Sequence, residues 1–210
     1  PLRSGLSKED DSPGNWHAAI AKYNWSTVIG PDSGSRKLFR NIISDSIKLA
    51  TNHISRGSKF STAHPSVSLY KGMHLELKKW FQDPSGKKIL CNHETRGHMR
   101  SDLHRYLFCA AWAEMALTTG DSVRFPRPAD YPKPLLPNHK SFNSGAFSDR
   151  FRVQIPNIHA TTITSHISKD GHYFIHYDPS QCRSLTVREA PRIQTFPDNY
   201  FFLGNRTQQY

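Results

Sequence analysis

Cysteine is scarce in this chain. Cys91, Cys109 and Cys182 are the three present, with no C-x-x-C spacing among them. That excludes a disulfide scaffold and suits a reducing compartment. No apolar run approaches the roughly 18 residues that a membrane-spanning helix needs, and no secretory leader is legible. Hydrophobic residues are also few, at 36%. With 12 Gly and 14 Pro, the composition points to long irregular connections. Acidic residues are outnumbered: 17 Asp and Glu face 28 Lys and Arg, for a net charge of +11 and a pI near 9.7. Such a balance favours a polyanionic partner, of which nucleic acid is the usual one. No Ser-His-Asp or paired-carboxylate arrangement follows from spacing. The 12 histidines place no general base, and add positive potential in mild acid.

The segments that are present read as follows. Residues 1–34 are polar; SKEDDSPGN reads as an exposed linker, and WHAAIAKYNW as one helical turn. From Arg36 to Lys59 there are six Lys or Arg and one acid, Asp45. Phe39, Ile43 and Ile47 recur at helical spacing, which predicts an amphipathic helix with a basic outer face. That face is either solvated or in contact with phosphates. SLYKGMHLELKKWFQ predicts a second helix with Leu69, Met73, Leu77 and Trp80 on a core-facing stripe, closed by Asp83-Pro84-Ser85-Gly86. MRSDLHRYLFCAAWAEMALTTG predicts the strongest helix, capped by Ser101 or Asp102 and stopped by Gly120. The proline-rich run RFPRPADYPKPLLPNHK must be extended. ATTITSHI, Asp170-Gly171 and HYFIHYD together read as a β-hairpin, with Tyr173 and Ile175 on one face and Phe174 and His176 on the other.

The most specific stretch is RSLTVREAPRIQTFPDNYFF, from Arg183 to Phe202. Thr186 and Glu189 form a capping box, so a short helix is expected from Val187. Phe196-Pro197-Asp198 ends it. Pro191 conflicts with a regular helix and implies a kink or a later start. The order Arg-x-Leu-Thr-x-Arg-Glu, Arg, Gln, Phe-Pro-Asp-x-Tyr resembles the ninth conserved motif of the DNA cytosine-5 methyltransferases. The resemblance extends upstream through ATTITSHISKDGHYFIHYDPSQC and FSDRFRVQ, firmly over residues 147–210 and more loosely to about residue 90 through CNHETRGHMRSDLHRYLFCAAWAE. In the family, FLGNRTQQY would run into a final Gly-Asn-x-Val-Pro motif, before which the chain stops.

The resemblance implies a parent enzyme that passes a methyl group from S-adenosylmethionine to C5 of cytosine. Its Pro-Cys-Gln nucleophile loop, Phe-x-Gly-x-Gly donor loop and Glu-Asn-Val motif do not occur here. This chain, which begins at Pro1, is therefore expected to be the inactive DNA-recognition part of a bacterial cytoplasmic enzyme. It would bind double-stranded DNA in the major groove and need its N-terminal catalytic half. By the same resemblance, Arg152 and Thr162 contact the DNA backbone, while Arg183, Thr186, Arg188, Glu189 and Arg192 organise the recognition domain. Lys169, in the predicted hairpin turn, is a further phosphate-contact candidate read from the sequence alone. Asn92, Arg96, Arg100 and Asn138 are unranked candidates for reading base edges.

The expected fold is α+β: a helical N-terminal portion beside a small antiparallel β-sheet in the C-terminal portion. The expected divisions are a linker and basic helix at 1–62, a helical variable part at 63–140, and the hairpin with the ninth-motif helix at 141–210. Exposed apolar patches are expected where the missing half would pack. Two rivals stand beside this reading. One is a stand-alone DNA-binding or interaction module. The other is a metal-dependent nuclease built on Cys91, His93, His98, His104 and Cys109, whose spacing fits no common zinc finger.

Overall fold

The computed structural model describes residues 2–28, 34–59, 62–63, 72–81, 89–123, 125–137, 150–169 and 171–210. The helices are α1 (Pro13–Ala21), α2 (Arg36–Ala50), α3 (Leu75–Phe81), α4 (Arg100–Thr119), α5 (Glu189–Ile193) and α6 (Arg206–Gln209). The strands are two residues each: β1 (Gly5–Leu6), β2 (Gly57–Ser58), β3 (Thr62–Ala63), β4 (Ile89–Leu90), β5 (His93–Glu94), β6 (Gly97–His98), β7 (Val153–Gln154) and β8 (Ile175–His176). They pair as four separate ladders, β1–β6 and β7–β8 parallel, β2–β5 and β3–β4 antiparallel. The class is mixed α and β, with helices supplying most of the regular structure.

The core forms around α4. From Leu103 to Met115 its side chains are apolar on nearly every face, and ten of its residues from Tyr106 to Met115 include only Glu114 outside the buried set. A helix apolar all round must be covered all round. The Phe39 ring of α2 meets Phe108 at 5.6 Å and Trp112 at 6.2 Å, α1 adds Trp16 and Ile20, and the short turn Pro179–Gln181 packs on both α2 and α4. Gly120, at φ 75°, ends α4 in the left-handed conformation that a residue without Cβ adopts at no steric cost. The start of α4 differs from expectation. Met99 occupies the cap position, and Asp102 lies inside the first turn, buried and paired with Arg105 at 3.0 Å. A carboxylate there still complements the positive helix end.

Linker character at the N-terminus is confined to SKEDDSPGN. On either side, Arg3–Leu6 and Trp16, Ala19 and Ile20 are buried. Asp11 ties this segment down through Arg3 at 2.7 Å and Arg56 at 2.8 Å. WHAAIAKYNW contributes to a nine-residue α1, opened by Ser12 accepting the Asn15 amide and by Pro13 at the first helical position. In the proline-rich run, two single 3-10 turns, Pro128–Asp130 and Lys133–Leu135, interrupt the extended chain. The apolar stripe of α3 is not core: Leu77 and Trp80 are 49% and 58% exposed. Leu69 and the Asp83–Gly86 turn lie outside the described residues.

The predicted hairpin does not form, and the C-terminal portion has no antiparallel sheet among the described residues. ATTITSHI is irregular up to Thr164 and then turns as a 3-10 helix, Ser165–Ser168. β8 instead pairs in parallel with β7, Val153 opposite Ile175. Its other edge makes a lone antiparallel bridge, Ile175 to Ser184, flanked by the His176 amide donating to Arg183 O and the Leu185 amide donating to Phe174 O. Both edges of HYFIH are thus occupied, leaving no place for a hairpin partner. Face alternation holds for Phe174 and Ile175, which enter different clusters. Ile175 joins the main core, and Phe174 joins Ile167, Leu185 and Ala190; Tyr173 packs on this second cluster too.

Candidate nucleic-acid interface

The ninth-motif stretch folds as a buried ionic hub. Thr186 and Glu189 make the reciprocal capping box: the Thr186 amide donates to Glu189 Oε2 at 2.8 Å, and the Glu189 amide to Thr186 Oγ1 at 3.2 Å. The helix itself starts at Glu189, later than Val187. Pro191 is its third residue, and its missing N–H interrupts the i→i−4 ladder between the Ala190 amide, which donates to Thr186 O at 3.2 Å, and the Arg192 amide, which donates to Arg188 O at 3.3 Å. The Arg183 guanidinium grips both Glu189 oxygens, at 2.6 and 2.8 Å, a bidentate charge-assisted pair. Burial opposes ionisation of Glu189, but the adjoining Arg183 overcomes it and holds the carboxyl well below the usual carboxylate range. Two histidines adjoin this pair. His93 Nδ1 lies 3.0 Å from Thr186 Oγ1, and His176 Nε2 3.9 Å from Glu189 Oε1. Burial pushes the pKa of His93 down to about 4. Burial, reinforced by Arg183, pushes His176 down to about 4 as well.

Arg188 is 1% exposed. It donates to the carbonyls of Cys91 at 2.9 Å, Pro197 at 3.1 Å and Tyr200, and its guanidinium lies 5.6 Å from the Phe202 ring centre. Arg192 pairs with Asp198, with Nε to Oδ1 at 2.6 Å. Asn92, in the left-handed conformation at φ 58°, completes the hub. Its side chain takes both polar groups of Phe202, donating to the carbonyl at 2.9 Å and accepting from the amide at 3.0 Å. Its carbonyl accepts the Arg188 amide at 3.0 Å. Four of the five motif residues, Arg183, Thr186, Arg188 and Glu189, thus come together with Asn92 and His93, and Arg192 holds the exit of α5.

The hub carries a polar loop, residues 156–169, on which Ile158, His159, Thr162, Thr164, His166 and Lys169 are exposed. Two side chains hold it. At its start, Gln154 of β7 donates to Tyr173 O at 2.9 Å and accepts the Thr161 amide at 3.2 Å. At its end, Arg96 donates to Ile167 O at 2.6 Å and Lys169 O at 3.0 Å. Arg96 also lies 5.1 Å from the Tyr210 ring centre, and the Tyr210 hydroxyl donates to Leu185 O at 2.8 Å. Arg152, half-buried two residues before Gln154, lies 5.9 Å from the Tyr173 ring centre. Thr162 follows the anchored Thr161. The Gln154 bridge therefore brings the neighbourhoods of Arg152 and Thr162 together, while Lys169 sits at the other end of the loop.

Of the base-edge candidates, Asn92 and Arg96 are buried and bonded internally, and Arg100 pairs with Glu9. Asn138 lies outside the described residues. Residue type alone does not separate a buried clamp such as Arg96 from a DNA-facing arginine, because its acceptors lie about 70 residues away. Gln154 and Tyr210 were not singled out in the sequence, and nothing local marks them. The cluster considered for a metal is dispersed into structural bonds. His93 goes to Thr186, His98 to Tyr106 and Ser184, and His104 to Ala19 O. Among the described residues no three His, Cys, Asp or Glu gather as a metal site. Burial raises the Cys109 thiol to about 12 and pushes Cys182 up as well. Neither is poised as a nucleophile.

Before any relative is considered, the geometry defines a positively charged chain that presents an exposed polar loop beside a buried arginine–glutamate hub. The comparisons give the family. The profile of the C-5 cytosine-specific DNA methylases matches residues 26–210, and the chain belongs to that family. It is 63% identical to the Type II methyltransferase M.Bpa9945I of Bacillus paralicheniformis, over 36% of this chain and 16% of that protein. It is 34% identical to the Type II methyltransferase M.AgeI of Thalassovita gelatinovora, over 32% of this chain and 15% of that protein. The matching stretches thus span about a sixth of each curated relative. No solved structure matches the chain. The family so named acts on cytosine C5 in DNA, and S-adenosylmethionine is the methyl donor that the resemblance implies for it. The donor-binding Phe-x-Gly-x-Gly loop is not in this sequence, so no residue here is assigned to the donor. No helix among the described residues is long and apolar enough to cross a membrane.

Proposed function

We propose that this chain is the target-recognition region of a DNA cytosine-5 methyltransferase, holding duplex DNA while a separate catalytic half flips and methylates the cytosine. Arg152, Thr162 and Lys169 contact the DNA backbone. Arg183, Thr186, Arg188, Glu189 and Arg192 are structural, and organise the hub rather than touch DNA. The variable recognition part falls within 63–140, and the enzyme works in a bacterial cytoplasm as part of a restriction–modification pair. The observation that carries this reading is the clamped loop 156–169, polar and exposed on a rigid ionic hub that bears the family's motif. A rigid support lets phosphate contacts position a protein on DNA. Apolar Leu75, Leu77 and Trp80 stand exposed on α3, which fits a surface that the catalytic half covers.

The test is binding of the chain to duplex DNA across a salt series. Log affinity should fall linearly with log salt, and Arg152→Ala should flatten that slope by about one unit. A folded chain that binds no duplex at low salt removes the DNA-positioning role. An interaction module of another kind would then be the better reading. With S-adenosylmethionine and DNA the chain alone should transfer no methyl group; transfer by the isolated chain would overturn the division of labour.

A further inference from the structure

The described arginines are mostly committed inside the protein. Arg3, Arg56, Arg105, Arg183, Arg192 and Arg206 each meet a carboxylate within 3.0 Å. The first two turns of α2 are different. Arg36 and Lys37 are exposed and make no hydrogen bond or ion pair among the described residues, and exposed Arg40 reaches only the Ser26 carbonyl, at 3.2 Å. Asp45, the nearest acid along the helix, is already paired with Lys48 at 3.1 Å.

This arrangement works against the helix that carries it. Cations at the positive end of a helix are unfavourable, and Arg36 and Arg40 are like charges at i, i+4. The first turn has no acid. Among the described residues no carboxylate pairs with Arg36, Lys37 or Arg40, and a local rule broken in this way marks a surface available to a partner. Arg40 also lines a groove of about 350 Å³ between α2 and the segment before it, whose wall is mostly apolar and includes Trp25, Ile43 and Ile47. Arginine and lysine donors together are the chemistry that contacts phosphate without reading sequence. Residues 36 and 40 are about 6 Å apart along the helix axis, so their flexible side chains reach neighbouring phosphates of one strand.

We infer that Arg36, Lys37 and Arg40 form a second, sequence-independent grip on the phosphate backbone of duplex DNA, separate from the loop 156–169. The inference rests on the reading that duplex DNA is this chain's ligand. It adds a contact surface that the motif and the hub do not contain.

The experiment compares the unmodified chain, the triple variant Arg36→Gln/Lys37→Gln/Arg40→Gln, and Arg152→Ala, each titrated with a duplex and with an unrelated duplex across a salt series. Circular dichroism checks that all three are folded. The triple variant should flatten the log–log slope by roughly 2–3, at about 0.9 per phosphate contact. It should also weaken binding equally on both duplexes. Arg36→Lys with Lys37→Arg, which keeps the charge, should retain the slope. A folded triple variant with the unmodified slope, beside an Arg152→Ala that flattens it, overturns the α2 grip and leaves the loop contact standing. An unmodified chain that binds no duplex overturns both. Binding to anionic phospholipid vesicles but not to DNA would assign the face to a lipid surface and overturn the inference.

Discussion

The arginines of the C-terminal hub and those of α2 have opposite fates in one basic chain. In the hub, Arg183 and Arg188 are 3% and 1% exposed. Arg183 holds Glu189, and Arg188 holds three backbone carbonyls. On α2, Arg36, Lys37 and Arg40 face solvent. Internal pairing leaves the net charge of +11 unchanged, but it decides which cations stand at the surface. The comparison also separates two costs. Losing a hub arginine leaves a buried partner uncompensated, whereas losing an α2 cation leaves nothing behind.

The largest effect expected is from Arg183→Ala. It strands the Glu189 carboxylate and should cost about 3–5 kcal/mol, as removal of one partner of a buried pair does; urea denaturation measures it. A loss below 1 kcal/mol would mean that solvent or His176 takes over the pairing. Acidification acts on the same hub with a sign that follows from its histidines. His93 and His176 are held at about 4 against an ordinary 6.5. They are neutral in the folded state where the unfolded chain would bind protons. The stability present above pH 6.5 should fall as pH drops from 6.5 through about 4, by a few kcal/mol. The urea midpoint against pH reads this directly, and His176→Gln should make the curve shallower. Glu189 strengthens the same trend only at lower pH, since its carboxyl is held below the usual range.

Arg96→Ala is the intermediate case. It releases the Ile167 and Lys169 carbonyls and should cost about 1–3 kcal/mol. Amide exchange in residues 163–169 should accelerate more than the global loss explains, and DNA affinity should drop although the phosphate-contact residues are untouched. Uniform acceleration across the chain would make Arg96 an ordinary core residue. The smallest effect is on α2. Lys37→Glu should stabilise the helix by about 0.3–1 kcal/mol through its dipole while weakening duplex binding, an opposition of sign that no hub variant should show.

Some of this was legible in the sequence. The existence and end of α4 were readable, though not its cap, because a long apolar run closed by Gly120 admits few other folds. α2 followed from Phe39, Ile43 and Ile47, and the Thr186–Glu189 box from spacing alone, since capping depends on neighbours three residues apart. The hairpin was misread for a physical reason. Alternation in ATTITSHI is a local signal, but the edges of HYFIH were claimed by Val153 from upstream and by Arg183–Leu185 from downstream. The α3 stripe was misread in a related way: period shows which face is apolar, not whether anything packs on it.

Three properties are therefore set by sequence alone. They are the family, from the order of residues 183–202 and its surroundings; the positive charge; and the positions of the helices whose signals lie within a few residues. Tertiary structure decided which cations are free. Whether Arg96 or Arg36 faces a partner depends on carbonyls and carboxylates brought from distant parts of the chain. An arginine has five N–H donors wherever it stands, and only the folded arrangement determines which acceptors come within their reach.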